Sequence, residues 1–134
     1  MLMNYNFIFL YFLFYLFYSC SSINSDIAYY DNGNIKYDIE YKNGKIDGIA
    51  KYWSNEGVLI NLVHYSNDLF HGEWIDFYPD GKIQHIVNYS YGQKHGEEIW
   101  YYQSGKIKSK IIYNYDVVVK ELIRWDENGL IIND

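Results

Sequence analysis

All ten glycines of this 134-residue chain fall into three phases of a single period. Gly33, Gly57, Gly81, Gly105 and Gly129 follow one another at intervals of 24 residues. Gly48, Gly72 and Gly96 keep the same interval, with Lys120 in the fourth place, and Gly44 and Gly92 share a column with Asp68 and Asp116. A period this regular demands one supersecondary unit used repeatedly, each copy burying surface against the next. Around the first glycine column the other positions are regular too. Tyr29, Trp53, Phe77, Tyr101 and Trp125 stand four residues before it, and Ile35, Leu59, Ile83, Ile107 and Ile131 stand two after it. Tyr41, Tyr65, Tyr89 and Tyr113 form a further column.

The segments "SNEG", "YPDG", "YQSG" and "DENG" place glycine at the end of a tight turn, where a positive φ is required. Pro79 and Asp80 ahead of Gly81 suit a type I turn whose glycine closes a bulge. Between glycines the chain offers only short runs rich in Ile, Val, Tyr and Trp, which reads as strand and leaves no room for an amphipathic helix. The expected fold is all-β: an elongated antiparallel meander of 24-residue β-hairpin repeats, about four and a half copies and about 9–10 strands, over residues 29–134. The second glycine column, including His71-Gly72 and His95-Gly96, is expected at turns. "DVVVK" (Asp116–Lys120) replaces that glycine in the last copy, as in an end-capping unit.

Alternation assigns the faces. Ile83, Val87 and Tyr89 point one way and Lys82, Gln84 and Asn88 the other. Ile75 with Phe77, Ile99 with Tyr101 and Ile123 with Trp125 take the buried parity on the companion strands. Tyr52, Trp74 and Trp100 are thereby expected on the opposite, outward face, and Tyr91 and Tyr115 in turns. Clustered exposed aromatics call for a partner, so these five residues form the candidate binding surface.

The first charged side chain is Asp26, and five of the seven Phe lie within the first 17 positions. Phe7 to Tyr18 is an unbroken apolar and aromatic run. As a helix it would span about 18 Å, against a hydrocarbon core about 30 Å thick. That length suits the apolar core of a signal peptide. The organisation expected is an apolar leader over 1–19, a short linker over 20–28, and the repeat domain from 29. The run "LFYSCSS" resembles the end of a bacterial lipoprotein signal peptide, which implies lipid attachment at Cys20. Cleavage near Ser19 to Ser22 and an uncleaved anchor starting at Met1 are the alternatives. The address expected is the cell envelope, as a membrane-anchored lipoprotein, or else secreted or periplasmic.

The patterns "Y-x-x-G-K-x-x-G" (Tyr41 to Gly48) and "Y-x-x-x-G-K-I" (Tyr101 to Ile107), with "HGEW" at His71 to Trp74 and "HGEE" at His95 to Glu98, resemble the short bacterial variant of the MORN repeat. That resemblance implies a scaffold or binding role, and similar bacterial repeats carry an antitoxin label.

No residue constellation suits catalysis. His71 and His95 occupy equivalent places about 9.5 Å apart across two strands, too far to share a zinc ion that needs nitrogens at about 2.0–2.1 Å. Glu73, Glu97 and Glu121 form a column of equal environments, whereas acid and base roles need pKa values driven apart. A single cysteine permits no internal disulfide. The net charge of −6, all of it after Ser25, disfavours nucleic acid and anionic lipid. The expectation is a non-catalytic, envelope-tethered module that binds a protein, without cofactor or metal. An immunity or antitoxin-like role and a carbohydrate-binding surface on Trp74 and Trp100 are the alternatives.

Overall fold

In the computed structural model, residues 23–132 are described; Cys20 and the apolar leader lie outside them. The described residues form nine strands: β1 (Ile23–Tyr29), β2 (Ile35–Lys42), β3 (Lys45–Trp53), β4 (Leu59–Ser66), β5 (Leu69–Phe77), β6 (Ile83–Ser90), β7 (Gln93–Tyr101), β8 (Ile107–Asn114) and β9 (Val117–Arg124). They make one antiparallel sheet in sequence order. A bridge between Trp125 and Ile131 begins a further hairpin. The meander is therefore as the period predicts. Residues 23–28, expected to belong to a linker, instead form most of β1 and pair with β2 from Ile23 to Tyr29.

Two kinds of turn alternate along the meander. At the first glycine column the turn is wide, with Gly81 N–H donating to the Tyr78 carbonyl at 2.9 Å and Tyr78 N–H to the Lys82 carbonyl at 2.8 Å. The same pair of bonds closes the turns at Gly33, Gly57, Gly105 and Gly129. The other reversals are two-residue turns at Asn43-Gly44, Asn67-Asp68, Tyr91-Gly92 and Tyr115-Asp116, with positive φ at both residues. That is the backbone of the tightest hairpins, whose twist matches the strands they join.

The second glycine column does not turn the chain. Gly48, Gly72 and Gly96 lie inside β3, β5 and β7, so His71 and His95 are strand residues as well. Each marks a bulge where three residues oppose one. Between the pairs Val63↔Trp74 and Tyr65↔Phe70, only His64 faces His71, Gly72 and Glu73. The residue opposite the bulge satisfies the backbone groups it frees. Glu40 accepts from Ile49 N–H at 2.9 Å, His64 Nδ1 donates to the Glu73 carbonyl at 2.9 Å, and Asn88 donates to the Glu97 carbonyl at 3.2 Å. Glycine is needed because the chain approaches that residue closely with φ of +103° at Gly72, where an added Cβ would stand 3.1 Å from His64 Cβ.

A second irregularity beside each wide turn breaks the simple alternation. Phe77 pairs with Ile83, but Asp76 pairs with His85, so Gln84 is the extra residue. Ile83 thus sits opposite Phe77, on the face away from Val87 and Tyr89. The columns sort accordingly. One face carries Ala50, Val63, Val87 and the Tyr41, Tyr65, Tyr89 and Tyr113 column. The other carries the cross-strand pairs Tyr29↔Ile35, Trp53↔Leu59, Phe77↔Ile83 and Tyr101↔Ile107.

Ala50, Val63 and Val87 are the buried apolar residues, and all three lie on the first face. No second layer of secondary structure covers either face among the described residues. Cover for Val63, 1% exposed, comes from side chains of its own face. On that face Tyr65, Phe70, Trp74 and Tyr89 form an aromatic cluster, with ring centroids 5.0–5.2 Å from Phe70 to each of the other three. The last strand is not a polar cap: Val117, Val118 and Val119 are 63%, 49% and 57% exposed on the edge strand.

Candidate functional site

The register places Tyr52, Trp74 and Trp100 on the face that holds the core, not on the opposite one. Trp74 opposes Val63 on β4 and Val87 on β6. Its indole N–H donates to Asp76 Oδ1 at 3.0 Å and its ring meets Phe70 edge-on. Trp74 is therefore packing material and not an open platform. Tyr52 opposes Tyr37 and Asn61, with Tyr37 6.4 Å away by ring centroid. Trp100 is the exposed one of the three, at 40%. The miscount has a physical cause: the bulges add residues that strict alternation does not anticipate.

Tyr91 and Tyr115 lie in turns as expected and are exposed. They do not join the others. Each ring instead packs at a tilt against the histidine at the equivalent place one hairpin earlier, Tyr91 against His71 and Tyr115 against His95, both with centroids 4.5 Å apart. A tyrosine with positive φ is sterically costly, and these ring contacts help to hold both in place.

A polar row crosses the face beside Trp100. Paired residues Asn61, Asp76, His85, Trp100, Ser109 and Arg124 follow one another on β4 to β9. Asp76 accepts from Asn61 at 2.7 Å. His85 is buried, with Nδ1 3.1 Å from Asp76 Oδ2 and Nε2 3.0 Å from Glu98 Oε1. Glu98, also buried, takes a second bond from Lys94 Nζ at 2.8 Å. The Lys94 ammonium also lies 4.9 Å from the centre of the Tyr113 ring. Burial alone would raise the Glu98 pKa, but the hydrogen bonds from Lys94 and His85 and the Lys94 charge hold it below the ordinary glutamate value. Burial likewise acts to lower the Lys94 value, and the bond and charge of Glu98 reverse it, leaving the ammonium more firmly protonated. Burial, then the Glu98 charge, pushes the Tyr113 phenol up.

The imidazole of His85 lies flat on Trp100, with centroids 3.9 Å and planes 19° apart. Beyond Trp100 the face opens into a cleft of about 370 Å³ bordered by Glu98, Trp100, Ser109, Tyr113, Leu122 and Arg124. Among the described residues no group of three or more His, Cys, Asp or Glu is placed to hold a metal ion. Sequence reasoning named Trp100 but not His85, Glu98 or Ser109. The signal available was the column Tyr37, Asn61, His85, Ser109, which changes residue in every copy while the tyrosine column four residues on stays constant.

The repeating unit itself is a wide-turn hairpin, and three stretches carry its pattern closely. These match the MORN repeat variant. The matches cover residues 27–43, 70–91 and 94–115. In the fold, each MORN match takes in one wide glycine turn with strand on both sides: β1–β2, β5–β6 and β7–β8. Hairpin β3–β4 has the same geometry but lies between the matched stretches. No curated protein matches the chain.

The MORN-type hairpins are also tied at a position the sequence reading passed over. Tyr30, Tyr78 and Tyr102 each donate a phenol hydrogen to a carbonyl of the next copy, those of Trp53, Tyr101 and Trp125, at 2.7–2.9 Å. Ser54 stands in that column in the unmatched hairpin.

Proposed function

We propose that this chain is a non-catalytic, envelope-tethered repeat module that binds a protein through the face carrying Trp100. The observation that carries it is a one-layer sheet that has no covering layer among the described residues, on whose core-bearing face a tryptophan and an open cleft remain accessible. An apolar aromatic anchor beside polar groups is the composition of protein contact sites. The MORN-type repeats fit a scaffold, since each copy adds surface without adding a reactive centre. The acidic balance of the chain, −6 overall, favours a partner with a basic or neutral contact region over anionic lipid.

Tethering, in this proposal, is by the apolar leader, with Cys20 as the lipid attachment point. A single acyl chain holds a membrane only marginally, so a lipoprotein-type anchor with more than one chain is what the role requires. Two experiments test the two halves separately. Crosslinking in the native cell, followed by identification of the adducts, is expected to recover a discrete protein; recovery of none would defeat the binding role. Cys20→Ala is expected to abolish lipid labelling and release the protein from the membrane fraction; unchanged membrane association would show a plain anchor in place of a lipid.

A further inference from the structure

The same row of the sheet repeats a slot in successive copies, and the occupant of the slot changes. Strands two apart are separated by about 9.6 Å, at about 4.8 Å per strand. Two flat groups need about 3.5–4.0 Å to each surface of a ring placed between them, so a slot of this width takes one planar layer. Between β3 and β5 the intervening residue is Asn61, which bonds Asp76. Between β5 and β7 it is His85, whose ring fills the space between Asp76 and Trp100. Between β7 and β9 it is Ser109, paired with Trp100 on one side and Arg124 on the other. A hydroxymethyl group cannot fill a space that an imidazole fills one copy earlier.

The consequence is visible at Trp100. One face of its indole is covered by His85. The opposite face borders the cleft over Ser109, and the residue stays 40% exposed. Stacking is specific for flat rings, and an aromatic pair adds about 0.5–1.5 kcal/mol beyond the area it buries. Ser109, Tyr113, Glu98, Lys108 and Arg124 all line the cleft, so a ring carrying a hydrogen-bonding group is suited better than a hydrocarbon one. The chain's own His85 shows the kind of group this slot accepts.

We infer that the cleft between β7 and β9 is a binding site for one planar, hydrogen-bonding side chain of a partner polypeptide, a histidine or tyrosine, which stacks on the free face of Trp100 as His85 stacks on the other. This deepens the protein-binding role proposed above and rests on it. Its test uses small probes and the full chain alone, so the slot can fail while a partner is still captured elsewhere on the sheet.

The experiment follows the indole N–H resonance of Trp100, assigned with Trp100→Phe, in the full chain in detergent micelles. The probes are N-acetyl-tyrosinamide, N-acetyl-histidinamide, N-acetyl-leucinamide and methyl glucoside. The expected result is a saturable shift with the tyrosine or histidine amide and none with the leucine amide or the sugar. Ser109→His, which restores the ring of the previous copy, is expected to weaken that binding by about tenfold or more, the loss of one good stacking contact. Ser109→Ala leaves the slot open and is expected to change binding by no more than about twofold. Absence of a saturable shift, an equal response to the leucine amide, a response to the sugar instead, or binding unchanged in Ser109→His would each overturn the inference.

Discussion

His85 Nε2 and Glu98 Oε1 stand 3.0 Å apart with both residues buried, and the other ring nitrogen of His85 meets Asp76 at 3.1 Å. Three strands are joined through one imidazole. Removing the imidazole takes one hydrogen bond from each of two carboxylates, and a bond to a charged group is worth about 1.5–3 kcal/mol. Asp76 is partly solvated and Glu98 keeps Lys94, so the lower end applies to each. His85→Leu is expected to lower the unfolding free energy by about 3 kcal/mol, measured by urea denaturation. A loss below about 1 kcal/mol would place the cluster in the class of solvated surface pairs.

The same cluster fixes the acid limb of stability. The Glu98 carboxyl is held below its ordinary value, so its contribution is fully present above the pKa of an unfolded glutamate and is lost as pH falls through the lower folded value. Asp80 and Asp126 are also lowered and act in the same direction. Glu98→Gln is therefore expected to flatten, without abolishing, the fall in stability on acidification, read from denaturation midpoints at a series of pH values. An unchanged slope would remove Glu98 from the set of groups that link folding to pH.

The tyrosine ladder predicts a gain as well as a loss. Tyr102→Phe deletes the bond to the Trp125 carbonyl and is expected to cost about 1 kcal/mol. Ser54→Tyr supplies the phenol that hairpin β3–β4 lacks. It is expected to stabilise by up to about 1 kcal/mol through a bond to the Phe77 carbonyl, offset by loss of the long Ser54 contact to Val58. Thermal unfolding of the two variants checks both signs.

Gly72→Ala probes the bulge. Its backbone has φ of +103° and an added Cβ meets His64 Cβ at 3.1 Å. Strain of this kind costs about 1–3 kcal/mol. Gly81→Ala meets no atom within 4 Å and is expected to carry only the cost of a left-handed alanine, about 1–2 kcal/mol. Equal losses at the two sites would mean that close approach plays no part at the bulge.

Much of this architecture was legible because turn chemistry is local. Glycine at 33, 57, 81, 105 and 129, and Gly or Asp at 44, 68, 92 and 116, mark every reversal by the φ they accept. The faces were harder to read, because parity depends on counting residues across bulges, and each copy has two. Gln84 inserted beside a wide turn separates Ile83 from Val87, and the same effect brings Trp74 to the core side. The polar cluster was hidden for a different reason. Asp76, His85 and Glu98 lie 9 and 13 residues apart, and only the cross-strand register makes them neighbours. What the sequence did show, unread, was that position 109 breaks a column of larger side chains.

The most direct measurement places a photoreactive residue on either face of the sheet in the native cell. Leu122 borders the cleft, and Ile83, 37% exposed, pairs with Phe77 on the face opposite Val87. A discrete protein adduct is expected from position 122 and none from position 83. The same adducts from both positions, or none from position 122, would contradict a protein-binding role for the face that carries Trp100.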